Sequence, residues 1–112
     1  MMSSQKGEAL VRKLLPKLEK TMHKGASGKV GVVGGSKDYT GAPYYAATAS
    51  LRAGADMSHV FCMDEAALPL KCYSPEMIVH PFLGKDGSDL KLWLKTTFTA
   101  VVIGPGLGKT HI

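Results

Sequence analysis

The chain has 112 residues, with 14 Lys+Arg against 9 Asp+Glu, so its formal charge is +5. That length holds one small domain, and 45% apolar with 21% charged residues suffices for a core, which argues against disorder. Thirteen glycines without a three-residue period exclude collagen, and two cysteines exclude a disulfide scaffold.

Leu10, Val11, Leu14, Leu15 and Leu18 lie near helical spacing with basic residues between them. This predicts an amphipathic helix from about Gly7, kinked or ended by Pro16, which lacks an amide hydrogen. His23 to Gly28 is a polar connection. Lys29 to Val33 is apolar and reads as a buried strand, ended by Gly34-Gly35-Ser36. Gly41-Ala42-Pro43 opens a second helix, because Pro suits the first helical turn. Its small residues Ala46, Ala47, Ala49 and Ser50 allow close packing on a sheet, and Gly54 caps its end. Met57 to Met63 is the second strand. Asp64 to Leu68 is a short helix stopped near Pro69, and Met77 to Val79, bounded by Pro75 and Pro81, is the third strand. After a turn at Gly84 to Gly87, Ser88 caps a helix holding Leu90, Leu92, Trp93 and Leu94. Ala100 to Ile103 is the fourth strand, and Gly104-Pro105-Gly106-Leu107-Gly108 follows at once.

Strands alternating with helices predict an α/β fold with a mostly parallel sheet and helices on its faces. Ligands in such sheets sit at the carboxyl ends of the strands. Both glycine-rich loops fall at that edge. Four strands make a thin sheet for this class, and little sequence follows the last loop to cover it. A truncated domain is therefore expected.

The basic residues form no dense stripe interleaved with aromatics, so nucleic acid is not expected as a partner. The densest run, Arg12 to Lys24, contains Glu19 and reads as a solvated helix face. No run of about 18 apolar residues exists, so no membrane span is expected. Met1 to Glu8 is polar and lacks an apolar signal region; the cytosol is the expected compartment, with mitochondrial delivery the alternative.

Two motifs fail on spacing. A P-loop ending at Gly108-Lys109-Thr110 needs glycine at position 103, which is Ile103. A dinucleotide fingerprint from Gly104 and Gly106 needs glycine at position 109, which is Lys109. The glycine loops therefore read either as tight strand-to-helix turns or as backbone exposed to a ligand. Tyr39 and Thr40 offer hydroxyls beside the first loop. Cys62 in its apolar strand reads as a buried, inert thiol. No Cys-x-x-Cys exists, and the four histidines lack ligand spacing, so no metal site is expected. His59 and His80 read as packed rings, Trp93 as core, and no nucleophile–base pair emerges.

Gly34 to Pro43 resembles the first signature of the ATP-dependent NAD(P)H-hydrate dehydratase family, and Val101 to Gly108 resembles its second. Ala53 to Cys62 and Tyr73 to Pro81 are similar to its eukaryotic branch. These ordered matches cover roughly residues 24 to 109. The resemblance implies a ribokinase-like α/β fold. It implies repair of NADHX and NADPHX, whose nicotinamide ring is hydrated, with ATP and Mg²⁺ as cofactors. It divides the chain into residues 1–24, a helix and connection, and 25–112, the N-terminal portion of the enzyme domain. By resemblance Ala42 and Gly106 contact the dinucleotide, with Tyr39, Thr40, Gly41 and Gly104 as neighbours and Glu76 in the surroundings. Lys109 stands where the family commonly has Arg. The family's later anion hole with its catalytic Asp and its main ATP-binding segments are absent, so the chain alone is expected to be inactive. The alternatives are another ribokinase-like small-molecule kinase, or a non-catalytic nucleotide-binding or subunit-pairing protein, with a homo-oligomer in view.

Overall fold

The computed structural model describes residues 4–15 and 27–109. Helix α1 spans Ser4–Leu14 and buries none of its residues. It starts three residues before the expected Gly7, and an Arg12–Glu8 ion pair of 2.7 Å spans one turn of its exposed surface. Pro16 and the connection from His23 to Ala26 lie outside the described residues.

Strand β1 (Lys29–Val33) leads through the first glycine loop to α2 (Gly41–Arg52), then β2 (Met57–Met63) and α3 (Asp64–Tyr73). Strand β3 (Ile78–Leu83), α4 (Ser88–Thr96) and β4 (Ala100–Ile103) follow. All three strand pairings are parallel, in the order β3-β2-β1-β4.

Helices α2 and α3 cover one face. Ala47 from α2 and Ala66, Ala67 and Leu70 from α3 pack on Val32, Val60, Cys62 and Val79. The small residues of α2 let its backbone approach the sheet, as their spacing predicts. Helix α4 lies on the opposite face. There Trp93 meets the rings of His59, Phe61 and His80, and Phe98 closes the cluster. The change of face has a topological cause. The sheet grows from β1 to β3 in one direction and then returns to place β4 on the other side of β1. A crossover keeps its right hand through such a reversal only by using the other face.

Further boundaries differ from the sequence reading. Helix α3 runs through Pro69 to Tyr73. The carbonyl that Pro69 leaves without a donor belongs to exposed Glu65 in the first turn, where water can serve it. Strand β3 likewise runs through Pro81 to Leu83. It is an edge strand, and its register on β2 slips between Phe61 and Met63, so the missing amide falls at a bulge. Ser88 is the first residue of α4, not its cap. Asp86 makes the turn, its Oδ1 accepting from the Ser88 amide at 3.1 Å. At the end of α2, Ala53 is the cap and Gly54 follows it with φ 120°.

Candidate functional site

Strands β1 and β4 are neighbours although about 70 residues separate them, with Val33 opposite Ile103. The strand order reverses between them, and both glycine-rich loops leave the sheet at that point. In open α/β sheets this is where ligand crevices form.

The two loops are joined backbone to backbone. The Gly35 amide donates to the Pro105 carbonyl at 3.1 Å, and the Gly104 amide donates to the Val33 carbonyl at 3.0 Å. A side chain at Gly34 would run into the Pro105 carbonyl oxygen. At Gly106, φ is 67°, and a side chain would meet the Tyr39 carbonyl oxygen at 2.8 Å and Pro43 Cδ at 2.9 Å. These glycines therefore serve loop-to-loop contact first, which is the turn-forming reading. The same contact brings Gly106 against the Tyr39–Pro43 segment, so four of the six candidate residues form one strip with Gly106 across it. Gly104 stands two residues before Gly106 at the end of β4, and nothing would meet a side chain there within 4 Å.

Within the strip, Tyr39 and Ser36 exchange backbone hydrogen bonds of 3.1 and 3.2 Å. Thr40 occupies the cap position of α2, yet its side chain makes no capping bond. Its Oγ1 instead shares a hydrogen bond of 2.6 Å with the Tyr73 hydroxyl at the end of α3. Ala42 is exposed in the first turn of α2. Beside the strip lies a hollow of about 330 Å³ lined by Gly41, Tyr44, Tyr45 and Tyr73. Ser36 is buried, and its Oγ has no hydrogen-bond partner among the described residues.

Glu76 belongs elsewhere. It precedes β3 and lines a second hollow with Leu51, Arg52 and Asp56. Asp56 precedes β2, so this hollow lies at the amino-terminal edge of the parallel sheet, opposite the glycine loops. The sequence placed Glu76 near the site only through its motif; which sheet edge a loop occupies depends on strand direction.

Sequence reasoning gave Tyr73 no role, although it stands in a quoted motif. Its place at the end of α3 was hidden because Pro69 stopped the expected helix five residues earlier. Its pairing with Thr40 across 33 residues is a tertiary fact. Ser36 was passed over as part of the loop.

Cys62, His59 and His80 are packing groups. Cys62 is fully buried, and burial foremost, with Asp64 adding to it, pushes its thiol up to about 11, as expected of an inert cysteine. His59 Nδ1 and His80 Nε2 share a hydrogen bond of 2.9 Å with their rings parallel. Burial first, then the His80 and Lys29 charges, lower His59 to about 4. Burial and Lys71 lower His80. Among the described residues no three His, Cys, Asp or Glu side chains converge as metal ligands. At the loop edge the amides of Gly34, Gly35, Ser36, Tyr39 and Gly104 are already bonded to backbone carbonyls, with the hydroxyls of Tyr39 and Thr40 beside them. With Asp38 the lone carboxylate of the first loop, these residues assemble no set of oxygen ligands of the kind a divalent cation takes.

Helices on both faces of a parallel sheet, with joined glycine loops at the order reversal, define a doubly wound α/β protein with its cleft at that edge. Two solved structures share the arrangement. A ribokinase-like superfamily protein from Enterococcus faecalis matches with a TM-score of 0.71 and 26% identity, over 86% of this chain and 33% of its own. A hypothetical protein from Streptococcus mutans matches with a TM-score of 0.70 and 27% identity, over 92% of this chain and 36% of its own. The fold is ribokinase-like.

A family model described as NAD(P)H-hydrate dehydratase matches residues 30–112, and the chain belongs to that family. Curated relatives carry the name ATP-dependent (S)-NAD(P)H-hydrate dehydratase. The chain is 52% identical over 102 residues to the one from Homo sapiens, covering 89% of this chain and 29% of the relative. It is 48% identical over 104 residues to the one from Entamoeba histolytica, covering 91% and 34%. The chain thus spans about a third of the length of the relatives it matches.

Proposed function

We propose that this chain forms the dinucleotide-binding portion of an ATP-dependent enzyme that dehydrates NADHX and NADPHX to NADH and NADPH. The observation that carries the reading is the junction of the two glycine loops at the strand-order reversal, within a chain of this family. Hydroxide leaves a carbon poorly, so in such a repair the ring hydroxyl becomes a phosphate ester at the expense of ATP, with Mg²⁺, and loss of inorganic phosphate restores the dihydronicotinamide. This chain's own residues have a narrower task. Tyr39, Thr40, Gly41 and Ala42 on one side, and Gly104 and Gly106 on the other, bind and orient the dinucleotide. The residues do not form the Mg²⁺ site, and no proton-transfer group is assigned among them. Two free cysteines support a reducing compartment, the cytosol or the mitochondrial matrix.

Calorimetric titration of the purified chain with NADPH tests the binding half of the reading, and an ATP-dependent turnover assay on hydrated NADPH tests the catalytic half. Binding that weakens in Ala42→Asp, without turnover, is the expected result. Absence of NADPH binding overturns the reading. The exposed β4 edge favours a second arrangement, in which the chain pairs with other subunits; sedimentation separates the two.

A further inference from the structure

The hollow beside the Tyr39–Pro43 strip has walls of three tyrosine rings. Tyr44 stands between the others, 5.3 Å from Tyr73 and 5.5 Å from Tyr45 between ring centroids, with planes tilted by 66° and 57°. Tyr45 is 71% exposed and Tyr73 is 48% exposed, so this aromatic surface is open to solvent. Its geometry is nonetheless set. The Thr40–Tyr73 hydrogen bond of 2.6 Å holds one wall, and Gly41 lines the hollow without adding a side chain. An open, oriented cluster of phenol rings offers flat faces for stacking and hydroxyls for in-plane hydrogen bonds. That is the chemistry of a purine site, in which base-on-aromatic stacking supplies the attraction. A purely apolar partner would leave the hydroxyls unused.

The hollow and the glycine loop border the same short segment. Tyr39 lies against Gly106, and Gly41, two residues on, lines the hollow. A dinucleotide carries two ring systems joined through phosphates and can lie along such a strip. We infer that the Gly41–Tyr44–Tyr45–Tyr73 hollow receives the adenine ring of the dinucleotide. This rests on the dinucleotide-binding reading above. The reacting ring is the weaker occupant, because hydration replaces two of its planar carbons with tetrahedral ones and it stacks poorly. On this assignment the three tyrosines and Thr40 anchor the end of the ligand that does not react.

The test uses the 112-residue chain with tyrosine rings labelled for NMR, titrated with AMP, with nicotinamide mononucleotide in its reduced and hydrated form, and with NADPH. AMP is expected to shift the Tyr44, Tyr45 and Tyr73 ring signals, and nicotinamide mononucleotide to leave them in place. Tyr73→Leu is expected to weaken AMP about tenfold. The ring shifts in the unaltered chain decide the matter even where that variant folds poorly. If nicotinamide mononucleotide shifts the tyrosines instead, the assignment of the adenine end is overturned. If NADPH binds and Gly106→Ala weakens it while AMP leaves the tyrosines unmoved, the hollow is not the adenine site and the dinucleotide-binding reading survives. If NADPH does not bind at all, both fall.

Discussion

At the scale of single residues, the loop junction depends on what two glycines lack. Gly106→Ala places a methyl group at positive φ against the Tyr39 carbonyl and Pro43. The expected cost is about 1–3 kcal/mol, read as a lower urea midpoint. Gly34→Ala should cost more, because the obstacle is the backbone oxygen of Pro105, which cannot rotate aside. Ser36 makes the opposite case. Its buried hydroxyl has no partner among the described residues, and an unmet buried hydroxyl costs about 1–3 kcal/mol. Ser36→Ala should therefore be neutral or stabilising by up to about 1 kcal/mol in the same titration. A clear loss of stability would mean that the hydroxyl has a partner in solution. The need for glycine at positions 34 and 106 was legible as a cluster in the sequence. The reason was not, because Pro105 and Tyr39 reach those glycines only after β4 docks beside β1.

At the scale of elements, α4 is held to the sheet by an aromatic cluster with two imidazoles inside it. His59 is 4% exposed, packs tilted against Trp93 and edge-on against Phe98, and shares a hydrogen bond with His80. Lys29 of β1 and Lys71 of α3 add positive charge to this neighbourhood. Both histidines titrate below their unfolded value of 6.5. Between that value and about 4 the unfolded chain binds more protons than the folded one, so stability rises with pH. The His59 contribution is complete above pH 6.5 and is lost as pH falls toward 4. Urea midpoints measured from pH 4 to 7.5 should show this slope. The double substitution His59→Phe with His80→Phe should flatten it, since replacing both partners by rings leaves no donor or acceptor unmet. The elements themselves were legible from periodicity because each strand and helix carries its own apolar pattern. Pro69 and Pro81 misled the boundaries of α3 and β3. A proline ends an element only where its missing amide is needed, and here one affects a solvent-facing first turn and the other an edge bulge.

At the scale of the whole molecule, β4 is the open side. All four of its residues are exposed, Val102 at 45% and Ile103 at 66%. Parallel strands are ordinarily covered on both faces, and an apolar edge invites pairing with another chain. The purified chain should therefore sediment above its 11.9 kDa monomer mass, and Val102→Lys with Ile103→Lys should shift it toward monomer. Monomeric behaviour of the unaltered chain would remove the subunit-pairing arrangement. The chain should also show no ATP-dependent turnover of hydrated NADPH, because no cluster of metal-ligating or acid–base side chains is assembled at the loop edge among the described residues.

The sequence alone determined the alternation of strands and helices, the burial of Cys62, and the position of both glycine loops after strands. Those features are local, written in apolar spacing and in residues that stop a strand. It also carried the family through ordered motifs. Only the tertiary structure decided that β1 and β4 lie side by side, that the two loops share a backbone junction, that Thr40 meets Tyr73, and that Glu76 belongs to the far edge. The first three depend on strand order and the last on strand direction, and both are set by which faces bury against which helices once the chain has collapsed. No short stretch of residues encodes that choice.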